Sequence, residues 1–315
     1  MKTHSLGGCA QPLWIVASVC AAGLAGCGGG GGGGAGGGMP MLPVLAANAP
    51  APAPSPAPAP VPAPNRDPVA GSEPLPLLSA PQPGSTAAVG NDSEGIYGAL
   101  LNLTFVGADG SIATKFNVGT LWGSLKVTGP DWSFNPDTQY DFTDASPVTG
   151  SGTFEAKKSM KGSYAYGSRE STAFGPLGYA AENALAVSQD SVAGKWANAD
   201  RSFGIGVSIE VDAKGAFTGT TSGVRVGTCT LSGTIALAQA GTAKNMYGLK
   251  MAAVNAGTDA KDACQLRTGL PYAGPAAIGL VPAGTYDSNG FFRSIMFLVK
   301  SGDGAMLSAG LRKQP

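Results

Sequence analysis

The sequence predicts an all-β protein: an antiparallel β-meander block followed by a small eight-stranded up-and-down β-barrel, on a disordered N-terminal tether. Three observations predict it. Apolar residues recur at every second position in short runs through the C-terminal part of the chain. Gly, Asn and Asp pairs stand between those runs, where hairpins need residues that tolerate positive φ. Ahead of them, an almost unbroken glycine run and a proline-alternating tract hold few residues able to build a core. Four segments follow: 1–26, 27–94, 95–190 and 191–315.

Residues 1–26 read as a signal peptide. Lys2 gives a thin positive start, and Leu13 to Leu24 gives an apolar core. That core falls short of the roughly 20 apolar residues a permanent spanning helix needs. It ends in Leu24-Ala25-Gly26-Cys27, a bacterial lipobox. Cleavage is expected between Gly26 and Cys27, with lipid carried on Cys27. One acyl chain holds weakly, at about 0.8 kcal/mol per buried CH₂, whereas two or three make a durable membrane anchor.

Residues 27–94 read as that lipidated cysteine followed by a linker. Gly28 to Gly38 is glycine apart from Ala35, a flexible coil. Ala49 to Pro64 carries proline at alternate positions and favours polyproline II, about 50 Å long at about 3.1 Å per residue. Pro68, Pro74, Pro76, Pro81 and Pro83 continue the habit, so disorder is expected to residue 94.

In the block 95–190, strands are expected near 96–106, 111–118, 120–128, 139–143, 148–157 and 160–166, forming an open meander beside the barrel. The stretch Tyr179 to Ser191 is the one place for a short helix between the halves. In the block 191–315, strands are expected near 192–198, 203–212, 215–222, 227–237, 245–254, 264–270, 271–280, 291–300 and 305–312. The alternation is clear in Val207, Ile209 and Val211, in Cys229, Leu231 and Ile235, and in Tyr247, Leu249 and Met251. Asp109-Gly110, Lys214-Gly215, Ser222-Gly223, Asn289-Gly290 and Asp303-Gly304 supply turns. Gly95-Ile96-Tyr97-Gly98 and Gly194-Lys195-Trp196-Ala197 open the two blocks in similar fashion. Closure into a barrel removes the edges an open sheet would expose.

Charge and rare residues exclude several functions. The formal net charge is zero, and about −1 once 1–26, Lys2 among them, are removed, so overall charge gives no electrostatic argument for nucleic acid or an anionic membrane surface. The single histidine, His4, lies in the segment expected to be removed. A chain cut before Cys27 has no Ser-His-Asp or Cys-His machinery and no histidine-ligated zinc. Cys9 and Cys20 would leave with the signal, and Cys27 is taken by lipid. Cys229 and Cys264 remain, an even pair in an oxidising compartment, and are expected to form a disulfide stapling one barrel wall.

No nucleophile elbow, Ser-x-x-Lys or phosphate-binding glycine loop occurs, so neither an enzyme nor a cofactor is expected. Asp131, Ser133, Asn135 and Asp137 alternate as calcium-loop ligands do. Pro136 stands where such a loop needs Gly, and Phe142 where it needs Glu, so a polar strand face or turn with Trp132 and Phe134 packed behind competes with a metal site. Lys157, Lys158 and Lys161, with Arg169 nearby, are the densest basic cluster. It is a candidate polyanion contact or a solvated hairpin tip at Ser159–Gly162. Trp196, on the first barrel strand, is the residue to line a cavity if the barrel is hollow; a barrel this small is otherwise filled by its own side chains.

A lipobox, a glycine run directly after its cysteine, and two meander blocks ending in a barrel resemble the transferrin-binding protein B and factor H-binding protein type of bacterial lipoprotein. Ala216-Phe217-Thr218-Gly219-Thr220 and Cys229-Thr230-Leu231-Ser232-Gly233-Thr234, followed by a second cysteine, resemble glycine-rich lipoproteins of Burkholderia-type bacteria. The resemblance covers about 27–38 and 188–314 and rests on strand and turn motifs. It implies surface display and a binding role, and it carries over no ligand-contacting residue. By similarity to enterobacterial sorting signals, Gly28 in place of Asp implies the outer membrane. The expectation is a monomeric, non-catalytic binding module, anchored by its lipid, with a host or envelope macromolecule as partner. The alternatives are a lipocalin-like carrier of a small apolar ligand and a periplasm-facing structural lipoprotein.

Overall fold

A computed structural model of the chain describes residues 69–98, 102–141, 145–198, 205–284 and 289–315. The signal peptide, Gly26, Cys27, the glycine run and the Ala-Pro tract lie outside the described residues.

The fold is all-β, as expected. After a one-turn helix α1 (Thr86–Val89), the first block contains β1 (Gly95–Tyr97), β2 (Leu103–Val106), β3 (Ser111–Lys115), β4 (Thr120–Thr128), β5 (Asp131–Phe134), β6 (Gln139–Asp141), β7 (Ala145–Glu155), β8 (Ser159–Tyr166) and β9 (Thr172–Gly178). These make one nine-stranded antiparallel sheet. Two 3-10 turns, Ala181–Ala184 and Gln189–Val192, occupy the stretch where a short helix is expected. The second block contains β10 (Gly194–Ala197), β11 (Gly206–Val211), β12 (Ala216–Ser222), β13 (Cys229–Leu237), β14 (Tyr247–Asn255), β15 (Tyr272–Pro282), β16 (Phe291–Ser301) and β17 (Met306–Lys313). They close in chain order into an eight-stranded barrel, with β10 returning to β17 through Trp196↔Lys313 and Ala197↔Arg312.

The turns form for local reasons. Asp109 Oδ1 accepts the Ser111 N–H at 3.0 Å. Asp212 Oδ1 accepts from the Lys214 and Ala216 amides at 2.8 and 2.9 Å, and Gly215 follows at φ 87°.

Several expectations are corrected. The strand placed near 264–270 is a loop, because Cys264 is covalently tied to Cys229 and its neighbours bond to the β12–β13 turn. Thr228 N–H donates to Asp262 O at 2.7 Å and Gln265 N–H to Val226 O at 2.9 Å. The bridge therefore pins the β14–β15 loop over one end of the barrel and does not staple two strands of its wall. The strand near 96–106 is two strands, β1 and β2, and β5 and β9 are additional. The hairpin tip is Ala156–Lys158, since Ser159–Gly162 belongs to β8.

The first block is more than an open meander. β4 and β7 are shared along their lengths, pairing with β6 at one end and β5 at the other. The sheet curls until Tyr97 of β1 meets Tyr179, just past β9. Its inner face is aromatic. The Trp132 ring lies over Gly152 and Gly162, where a Cβ on either glycine would stand 2.6 Å from its Cζ2 atom.

The barrel interior is filled. Trp196, Leu231, Ile235, Tyr247 and Tyr272 are its largest fully buried side chains, with Phe217, Leu249, Ile278 and Phe297 packed among them.

The linker expected to run to residue 94 ends earlier. From Glu73 onward it is a strap laced to both blocks. Glu73 bridges Phe291 in backbone pairing, and its carboxylate takes a bidentate ion pair from Arg293 at 2.6 and 3.0 Å. Gln82 Oε1 accepts the Ala186 N–H at 2.9 Å, and Thr86 Oγ1 accepts the Asn245 N–H at 3.0 Å.

Candidate functional site at the seam between sheet and barrel

Alternation fails in β15 and β16, and the failure locates the seam. Ala276 to Leu280 and Ser294 to Val299 are buried at consecutive positions. A strand solvated on one face buries every second residue; a run of buried neighbours means both faces are covered. One face of these strands fills the barrel. From the other, Ala277, Met296 and Leu298 pack against Ile96, Leu103, Phe105 and Ala113 of the first block, with Trp122 beside them. At the edge of this patch Trp122 lies against Gly274 of β15, where a Cβ would stand 2.9 Å from the indole Cη2.

Polar groups fasten the seam. Lys300 of β16 meets Asp141 at 2.6 Å, and Lys244, in the β13–β14 turn, meets Glu94 at 2.7 Å. Glu94 is 2 % exposed, so that pair is desolvated and each partner needs the other. Two buried asparagines act as clamps. Asn245 Oδ1 accepts the Ile278 N–H at 2.8 Å while its Nδ2 donates to Ile278 O at 2.8 Å and to Glu182 O at 3.0 Å. Its side chain thus continues the β14 ladder past Tyr247↔Ala276, where pairing by the backbone ends. Asn183 does the same for β1, accepting the Ile96 N–H at 2.9 Å and donating to Ile96 O at 2.7 Å.

Where these elements part, they leave a cavity of about 550 Å³ between the β2–β3 turn and the barrel. Phe105, Ala113 and Trp122 line it from the sheet, and Met246, Tyr247 and Pro275 from the barrel. Asp109, Ser111 and Gln239 stand among its polar lining, with the Lys244–Glu94 pair. A second cavity of about 620 Å³ lies on the other side of the same turn, lined by Asp92, Leu125, Val127 and Phe154 among others; both touch Ala108 and Asp109. Ser111, donating its hydroxyl and its N–H to Asp109, holds that carboxyl below the usual carboxylate range.

The residues singled out from sequence sit elsewhere. Trp196 is fully buried inside the barrel, its indole N–H donating to Val192 O at 2.7 Å. It is a core residue among its neighbours. Lys157 reaches back to donate to Ala87 O at 2.9 Å, and Lys158 pairs with Glu155 at 2.6 Å on the surface. Lys161 is exposed on β8, and the Arg169 guanidinium lies 5.4 Å from the Tyr166 ring centroid. Two of the four cations of that cluster are thus engaged with the backbone or a carboxylate. Asp131 and Ser133 lie on β5 with Trp132 buried between them, and Asn135 and Asp137 follow in the turn. Asn135 Nδ2 donates to Ser124 Oγ, which itself donates to Asp137. An extended strand spreads the first two positions apart, so the run does not wrap a centre as a calcium loop does. Among the described residues no group of three or more His, Cys, Asp or Glu is placed to hold a metal. The Cys229–Cys264 disulfide is formed, with Cα atoms 4.9 Å apart.

Sequence reasoning missed the seam. Its signal is the pair of unbroken apolar stretches Ala276–Leu280 and Ile295–Val299, set among strands that otherwise alternate. Set against family models, curated proteins and solved structures, the chain matches none.

Proposed function

We propose that this protein is an outer-membrane lipoprotein, anchored through acyl chains on Cys27, whose two-part β head is a non-catalytic binding module displayed at the cell surface. The lipobox, the glycine run after its cysteine and the resemblance to β-barrel surface lipoproteins support the anchor and the location. The observation that carries the binding role is how the head uses its space. The barrel is packed by Trp196, Ile235, Tyr247 and Tyr272, while concave surface lies outside it, along the seam. This weighs against the lipocalin-like carrier, whose ligand would have to displace that packing.

The test is metabolic labelling with a palmitate analogue, followed by protease treatment of intact cells. Labelled wild-type chain, an unlabelled Cys27→Ser variant and a head shaved from intact cells are expected. A variant that still labels overturns the anchor. A head that resists protease until the outer membrane is opened overturns surface display in favour of a periplasm-facing role.

A further inference from the structure

We propose that the seam cavity and the hollow beside it on the first block form a peptide-binding trough, accepting an extended segment that sets a lysine or arginine between apolar residues. It deepens the binding-module reading and rests on it. The two cavities flank one hairpin turn and share Ala108 and Asp109, so a ligand occupying both must cross that turn. Each lies in the range of about 300–1,000 Å³ usual for ligand sites. Trp122, Met246 and Pro275 give the first hollow an apolar wall, and Leu125 and Val127 give the second one.

Charge selects what crosses between them. Asp109 stands on the shared turn and Asp92 on the second hollow, both exposed. Lys244 is the one cation among the described residues lining either cavity, and its ammonium is bound to Glu94 at 2.7 Å. The shared turn therefore presents one carboxylate and the second hollow another, with no competing cation among the lining residues. Such a site repels polyanions, and a neutral glycan supplies no charge to answer it. An extended peptide does: its side chains alternate in direction, so apolar groups enter the two hollows while a cationic one reaches the carboxylates.

The test uses the full chain, purified in detergent, on an array of nine-residue peptides. Lysine, glutamine or glutamate is fixed at the centre, and leucine, valine or tryptophan is placed on both sides. Capture of lysine-centred peptides over their glutamate-centred counterparts is expected. The best of them should bind about tenfold more weakly to an Asp92→Asn/Asp109→Asn variant, the loss of one charge-assisted contact. The Asp109→Asn change keeps a side-chain oxygen to accept the Ser111 amide, and circular dichroism checks that the variant is folded. No capture, capture indifferent to the central residue, or equal binding by the variant overturns the proposal. So does a neutral glycan that competes with the captured peptide and binds the variant undiminished. Location plays no part in this assay, so its failure leaves the anchor standing, and an unlabelled wild-type chain leaves the trough standing.

Discussion

Replacing Asn245 by alanine separates the seam's clamps from its apolar contacts. Asn245 is fully buried and makes three side-chain hydrogen bonds, two with the N–H and C=O of Ile278 and one with Glu182 O. Alanine leaves the Ile278 N–H facing where the amide oxygen stood, in a strand closed to water. A buried donor without a partner costs about 1–3 kcal/mol, and the two carbonyls add a smaller share, so a loss of about 2–4 kcal/mol is expected. For a head of this size that lowers Tm by roughly 5–15 °C. Urea unfolding followed by tryptophan fluorescence measures it. The slope m should stay constant, because the surface exposed on unfolding scarcely changes. Amide exchange should quicken at Ile278 in particular. Asn183→Ala should act alike on Ile96, and the double variant should depart from additivity, since Asn245 also holds the turn that carries Asn183. A loss below about 0.5 kcal/mol in Asn245→Ala, or unaltered exchange at Ile278, would show that the ladder needs no side chain to extend it.

Three further outcomes are expected. Reducing the Cys229–Cys264 bridge, whose ends lie 35 residues apart, should destabilise the head by about 3.8 kcal/mol through the freed unfolded chain and raise m; an unchanged urea midpoint contradicts it. Lys244→Met should cost about 3–5 kcal/mol by stranding Glu94, and Lys244→Met/Glu94→Gln should recover most of that; equal losses in the two variants would show that the packing of the lysine stem matters and the charge does not. Burial pushes Tyr164 up to about 12, and Tyr97, Tyr179 and Tyr247 upward as well. A group whose folded pKa is raised stabilises fully below its unfolded value, near 10, and loses that contribution as pH climbs through the folded one. Stability should therefore fall between about pH 10 and 12, with phenolate absorbance arriving in step with unfolding. Absorbance exceeding that of the other four of the eight tyrosines while the protein stays folded speaks against the burial.

Alternation marks a strand where one face is wet and the other dry. β11, β13 and β14 have one wet face, and their apolar residues fall on the buried one. Alternation says less where both faces are dry, as in β15 and β16, because a continuous apolar run looks the same whichever partner covers it. A strand is expected near 264–270, yet a covalent tie and bonds to the β12–β13 turn hold that segment as a loop. β9 escaped notice because Gly175, Pro176 and Gly178 speak against a strand by composition. The strap escaped for a related reason. Its prolines announce an extended chain, but what fixes it is a few polar residues, Glu73, Gln82, Thr86 and Glu94, each with one specific partner that no local pattern encodes. The seam cavity inherits that opacity, since it lies between two blocks whose docking depends on residues more than a hundred positions apart.

The doubly covered wall of the barrel has a consequence for biogenesis. A chain emerging amino-terminus first completes the sheet early, with Ile96, Phe105 and Ala113 bare to solvent. Their cover, Ala277, Met296 and Leu298, comes only with β15 and β16, late in the chain. For that interval the nascent protein shows a sticky flank that only a holding chaperone or its own late strands can shield.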